Sequence, residues 1–148
     1  MRGYTHVAAS ITLLTFIPAT PSTIIGLMLG SLLPDIDADG STITRILPKI
    51  PIEHRTITHS FLALVAMTVV AAIFSRYFAL GMFFGYLSHL LLDSLNPTGV
   101  PFFYPFIKIK YRFSKIRIRT GSILENVLLV VLLIVDFLIL SKVANNLI

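Results

Sequence analysis

The sequence predicts an all-α integral membrane protein of about five transmembrane or partly inserted helices, with a short basic β-hairpin at the membrane interface. Three observations carry that reading. The 148-residue chain is 55% hydrophobic and only 13% charged, about half the charged share of an ordinary soluble domain. Its apolar residues fall into runs approaching the length of a bilayer span. Its polar residues gather in short clusters between those runs instead of spreading over the chain. The length accommodates a single domain, residues 1–148. With no cysteine, disulfides, thiolate ligands and cysteine nucleophiles are excluded. The net charge of +5 does not imply nucleic acid as a partner. The basic residues sit in loops beside apolar helices, where topology and anionic lipid headgroups account for them.

The elements follow in order. An apolar stretch runs from Tyr4 to Ile17 and is punctuated by Pro18, Pro21 and Ser22. It is read as retained and not as a cleaved signal, because its n-region is one Arg and it contains His6. Ser22 suits the N-cap of a second helix to about Leu33, where Pro34 stops it. Residues 35–55 form a polar loop kept irregular by Gly40, Pro48 and Pro51. A third helix is expected from about Thr56 to Phe74, with His59 in its first turn, and a fourth from about Phe78 to Leu95. Asn96-Pro97-Thr98-Gly99 ends the fourth with turn chemistry. Residues 107–113 and 116–119 alternate apolar and basic residues with period two, which predicts the hairpin; an extended basic strip is the rival. The last helix, about Ser122 to Val143, is the clearest span.

Alternating spans bring His6, Asp35, Asp37, His54, His59, His89, Asp93 and Glu125 to one face. Ten of the twelve Lys and Arg residues lie on that face, all but Arg76 and Lys142, which predicts a multi-pass protein with a cytoplasmic site. His89 and Asp93 are four residues apart on one helix, so both project from one side and can clamp a divalent cation. Asp35 and Asp37 put two carboxylates on one side of an extended segment. His54 and His59, five apart, fit a site only if the first ends a loop and the second opens a helix. His and carboxylate ligands without thiolate suit Zn²⁺, with Mn²⁺ or Fe²⁺ as alternatives. No G-x-S-x-G elbow is present, so the expected chemistry is attack by a metal-activated water. Arg55 is expected to hold an anionic group through its two-pronged guanidinium. Asp37 or Glu125 is expected to act as general base.

Pro34-Asp35-Ile36-Asp37, His54-Arg55-x-x-Thr58-His59-Ser60 and Gly85-Tyr86-Leu87-Ser88-His89-x-x-x-Asp93 resemble motifs of the YdjM-like inner-membrane proteins. So do Asn96-Pro97-Thr98-Gly99-Val100 and Arg119-Thr120-Gly121-Ser122-x-x-Glu125. That family is described as LexA-regulated, membrane-bound, metal-dependent hydrolases. The resemblance implies metal or catalytic roles for His6, Asp35, His54, His59, His89 and Asp93, and extends to Asp37 and Glu125. The Thr-His and His-x-x-x-Asp pieces are also similar to the all-helical zinc phospholipase C and nuclease fold. This chain has no His after Asp93, which implies one or two ions and not three. Ala38 stands where family members often carry His.

The expected function is therefore metal-dependent hydrolysis at the inner membrane, with a phosphoester of a phospholipid or other anionic amphiphile as the leading substrate. A metal or proton transport element and a non-catalytic regulator with a structural metal are the alternatives.

Overall fold

The computed structural model describes residues 1–113 and 117–145 of the chain. Five α-helices stand in order among them: α1 (Gly3–Ile11), α2 (Pro21–Leu32), α3 (Phe61–Phe74), α4 (Arg76–Asp93) and α5 (Ile123–Asn145). Short 3₁₀ turns intervene at Thr12–Thr15, Leu33–Asp37, Ile43–Arg45 and Ile57–His59. Local sequence sets the helix starts. The Thr20 side chain caps α2 by accepting from the Thr23 amide, with Pro21 in the first turn, where its missing N–H costs nothing. That cap lies two residues before the expected Ser22. Ser60 caps α3 through the Ala63 amide, so α3 begins at Phe61 and His59 lies in the turn ahead of it.

Two of the expectations about fold class are corrected. Among the described residues one helix, over Ile123–Lys142, is long and apolar enough to cross a membrane. At 1.5 Å per residue α1, α2 and α3 cover about 14, 18 and 21 Å, short of a hydrocarbon core of about 30 Å. Arg76, Ser88, His89 and Asp93 dilute the apolar character of the 18-residue α4. Five helices of spanning length and composition are therefore not found among the described residues, which removes the basis for the alternating topology. The β-hairpin is also absent: the described residues contain no strand, only one isolated antiparallel bridge between Val100 and Tyr111. Tyr111 exchanges both backbone hydrogen bonds with Val100, at 3.0 and 2.8 Å. Residues 107–113 thus spend their one pairing on the turn after α4 and not on residues 117–119. The expected hairpin turn at Ser114-Lys115, and Ile116, lie outside the described residues.

The most extensive contact in the molecule joins α2 to α4, through glycines on both helices. Gly26 and Gly30 face α4, and Gly81 and Gly85 face α2. A Cβ at these positions would lie 2.4 Å from the Phe78 carbonyl oxygen, 2.5 Å from that of Met82, 2.2 Å from that of Thr23 and 2.3 Å from that of Leu27, in that order. Small-x-x-x-small spacing lets two helix backbones approach closely, and here both partners carry it. Two apolar clusters flank this pair. Leu64, Met82, Tyr86, Leu90, Val100 and Phe102 fill the space between α3, α4 and the turn after α4. Leu14, Leu27 and Ile139 tie α2 and the turn after α1 to α5. The rest of α5 is mostly exposed apolar surface.

Replacing Gly85 by Ala is expected to destabilise the protein by about 1–3 kcal/mol, the usual range for overpacking a tight interface. Thermal unfolding of the purified protein measures it. An unchanged midpoint would mean that the backbones can separate without cost.

Candidate metal centre

The tight α2–α4 pairing lays the last turn of α2 beside the last turns of α4. His89 Nδ1 lies 2.7 Å from the Ser31 carbonyl oxygen. Since a carbonyl only accepts, Nδ1 carries the proton and Nε2 is left with its lone pair directed inward. The 3₁₀ turn that continues α2 brings Asp35 to this nitrogen, with Oδ1 at 3.6 Å. Asp93, one turn after His89, places Oδ2 at 3.9 Å. His59 enters from the turn before α3, its Nε2 3.6 Å from both Asp35 Oδ1 and Asp93 Oδ2. These four ligand atoms lie within 4.8 Å of one another.

His59 Nε2 and His89 Nε2 are buried and have no hydrogen-bond partner. Distances of 3.6–3.9 Å to the carboxylates are too long for hydrogen bonds. They suit atoms sharing one cation, because two ligands at about 2.0–2.2 Å from an ion lie at most about 4.4 Å apart. Buried imidazole nitrogens left unpartnered around carboxylate oxygens are what a divalent cation satisfies. By this test the residues fit a metal.

The other predicted residues arrange around this centre. His6 is buried, stacks on His89 with ring centroids 3.7 Å apart, and has neither nitrogen hydrogen-bonded. Its Nε2 faces Asp93 Oδ1 at 3.4 Å, so the two oxygens of Asp93 look to different imidazoles. The Met1 amino group also contacts that oxygen. Asp37 accepts from His54 at 2.7 Å through Oδ1 and from the Thr58 hydroxyl through Oδ2. Asp37, His54 and His59 form a second group of ligand atoms that shares His59 with the first. Arg55 has a backbone φ of 60°, a conformation uncommon outside glycine. It sets Nη2 2.6 Å from Asp93 Oδ2, the oxygen that both His59 and His89 face.

Glu125 is not brought into either group. It is buried, and its carboxylate accepts from the backbone amides of Arg2 and Gly121 and from the Thr5 hydroxyl. It thereby ties the start of α1 to the start of α5. Three contributors escaped the sequence reading: Thr58, which holds Asp37; Tyr86, whose hydroxyl donates to the Thr58 carbonyl; and the Ser31 carbonyl. Thr58 was within reach as the neighbour of His59. A backbone carbonyl carries no sequence signal.

Burial opposes the charge of Asp35, but the neighbouring His89 and His59 rings outweigh it and hold the carboxyl below the ordinary range. Burial likewise opposes Asp37, and His54 and Thr58 overcome it. Burial pushes His59 down, yet Asp35 and Asp93 together carry it above the ordinary imidazole value. A polar cleft of about 500 Å³ opens over the centre, lined by Asp35, His54, Arg55, Arg2 and Arg45 among others. The Asp35 side chain, 14% exposed, is the cluster's link to it.

A family model described as "YdjM inner membrane protein" matches residues 1–147. The chain belongs to the YdjM family. Relatives include the inner membrane protein YdjM of Escherichia coli K12, 39% identical over 111 residues, covering 66% of this chain and 56% of the relative. The uncharacterized protein YvsG of Bacillus subtilis is 32% identical over 108 residues, covering 68% of this chain and 66% of its own. An uncharacterized protein, ORF4′, of Methanothermobacter thermautotrophicus is 37% identical over 60 residues, 40% of this chain and 26% of its own. The chain thus spans about half the length of the E. coli relative and a quarter of the archaeal one. No solved structure matches it. Membership of an inner-membrane family agrees with the exposed apolar surface of α5 and makes this a membrane protein.

Alanine at His89 or Asp93 is expected to abolish retention of a divalent metal through purification, read by elemental analysis. Glu125→Gln is expected to keep the metal while lowering the unfolding temperature. Metal retained in His89→Ala would refute the assignment. The raised His59 sets the sign of the pH dependence. Protonated imidazole cannot ligate, so a cation must displace a proton that His59 holds to higher pH than an ordinary imidazole. Affinity is expected to fall as pH drops through that raised value, with proton release on binding. Calorimetry in buffers of different ionisation enthalpy would detect the release.

Proposed function

We propose that this YdjM-family protein is a membrane-bound, metal-dependent hydrolase acting on a phosphoester of a lipid or other anionic amphiphile. The observation that supports this most is the convergence of two unpartnered imidazole nitrogens and two carboxylate oxygens beneath a cleft bearing three arginines. His59, His89, Asp35 and Asp93 would hold the cation, with His6 facing the second oxygen of Asp93. Asp37, His54 and His59 offer a place for a second ion. Zinc suits this donor set best, and Mn²⁺ or Fe²⁺ also fit it. Such a cation, when bound, supplies Lewis acidity and an activated water.

The chain's own residues supply the rest. Arg2, Arg45 and Arg55 line the cleft, whose positive charge favours an anionic head. Arg55 has the further property of sitting on Asp93 Oδ2, the oxygen that would also hold a cation at the centre, so it links the cleft to the site. Asp37 fixes the His54 ring through Nδ1, and His54, 39% exposed, borders the cleft where a proton can be taken up or given. Asp37 then acts through His54. Four-residue convergence under an open cleft favours turnover over a structural ion.

The test is purified protein, loaded in turn with Zn²⁺, Mn²⁺ and Fe²⁺ and assayed for phosphate or headgroup release from mixed phospholipids. Release that is lost in Asp35→Asn and His59→Ala is expected. Tightly bound metal with no release from any phosphoester would overturn the hydrolase reading.

A further inference from the structure

A second cavity flanks the segments that carry the ligands. It is a groove of about 410 Å³ with an almost wholly apolar lining that includes Leu33, Ile36, Ile50, Ile57, Leu62 and Met67. Both cavities fall in the range of about 300–1,000 Å³ usual for small-ligand sites. Neighbouring residues divide between them. Asp35 lines the cleft and Ile36 the groove; Arg55 lines the cleft, while Ile57 and Thr58 line the groove. Thr58 donates to Asp37, and Tyr86, also on the groove wall, donates to Thr58. The inner wall of the groove is therefore the support of the metal centre.

We propose that this groove holds an apolar chain of the amphiphile whose anionic head lies in the cleft. The proposal rests on the amphiphile reading above and adds where the chain goes. Its occupant follows from the surroundings. The groove opens along α3, whose outer positions Leu62, Val65, Val69 and Ile73 are exposed. Those side chains continue the apolar character of the groove along the surface of α3. No charged side chain lines the groove, whereas three arginines line the cleft. A peptide occupant would leave backbone N–H and C=O groups unpaired against such walls, and an alkyl chain leaves none. Lipid tails are already an apolar solvent, so the groove adds little affinity. What it contributes is placement of the head relative to Asp35 and His54.

A single-chain alkyl phosphate carrying a diazirine on its chain provides the test. The metal-loaded protein in detergent is irradiated, and the label is mapped by mass spectrometry. Label is expected to concentrate on residues 57–67 and to be displaced by unlabelled alkyl phosphate. Ala66→Trp fills the groove from an exposed helix position, and Ala63→Phe fills it from a neighbouring one. Both are expected to cut labelling there several-fold while diffuse labelling of α5 stays unchanged, which also reports an intact fold. On esters, Ala66→Trp is expected to lower kcat/KM several-fold for a long-chain phosphoester and to spare a short-chain, water-soluble one. Label spread evenly over α3 and α5, or undiminished in both variants, overturns the groove even where phosphate release stands. Groove labelling without release from any ester overturns the hydrolase reading and leaves the groove as an amphiphile site. Disulfide dimers formed in the membrane by Ala66→Cys, in a chain otherwise free of cysteine, would assign the groove to a second copy and overturn the proposal.

Discussion

The centre depends on how closely two helix backbones can lie. With glycine at 26, 30, 81 and 85, α2 and α4 meet at carbonyl-to-Cα range, and only then does the Ser31 carbonyl come within hydrogen-bonding distance of His89. That one bond decides the tautomer of His89 and the direction of its free nitrogen. Both helices then end at the same level. Asp35 follows in the continuing turn of α2, and Asp93 closes the last turn of α4. Two carboxylates and one imidazole are thus placed by a single interface, before α3 contributes anything.

His59 completes the set by a different device. It sits in a 3₁₀ turn between Thr56 and the Ser60 cap of α3, held against Phe102 by the backbone bond from Phe61. The segment before it is under local constraint, because Arg55 adopts a left-handed backbone and reaches Asp93. Non-glycine residues in that region persist where surrounding contacts hold them, and the contact here is the 2.6 Å ion pair with a cluster carboxylate. The cation-seeking oxygen of Asp93 is thus balanced by a side chain that also borders the cleft. Thr58, between Arg55 and His59, binds Asp37 on one side and receives Tyr86 at its carbonyl, so the two ligand groups and the apolar groove share one short stretch of chain.

Much of the centre was legible as chemistry. Asp35, His54, His59, His89 and Asp93 stand out because ionisable residues are rare in this chain and each lies where an apolar run begins or ends. Glu125 shared that appearance but serves as a cap for three donors, a role its spacing does not distinguish from ligation. The helix count was legible as well, but the membrane topology was not. Apolar composition reports that a helix avoids water and does not say whether lipid or another helix covers it. The period-two basic strip was misread for a related reason. Alternation suits a strand, but a strand also needs a partner, and Tyr111 found its partner in Val100.

The sequence by itself therefore determined which donors are open to a metal: histidine and carboxylate without thiolate, in an apolar, cysteine-free chain of the YdjM family. Tertiary structure alone decided which of those residues meet and which cavities they border. The reason is that the centre depends on distances between segments far apart in the chain, such as the 58 residues that separate Ser31 from the His89 it orients. Those distances follow from how near two backbones pack, through glycines whose meaning appears only when both helices are in place.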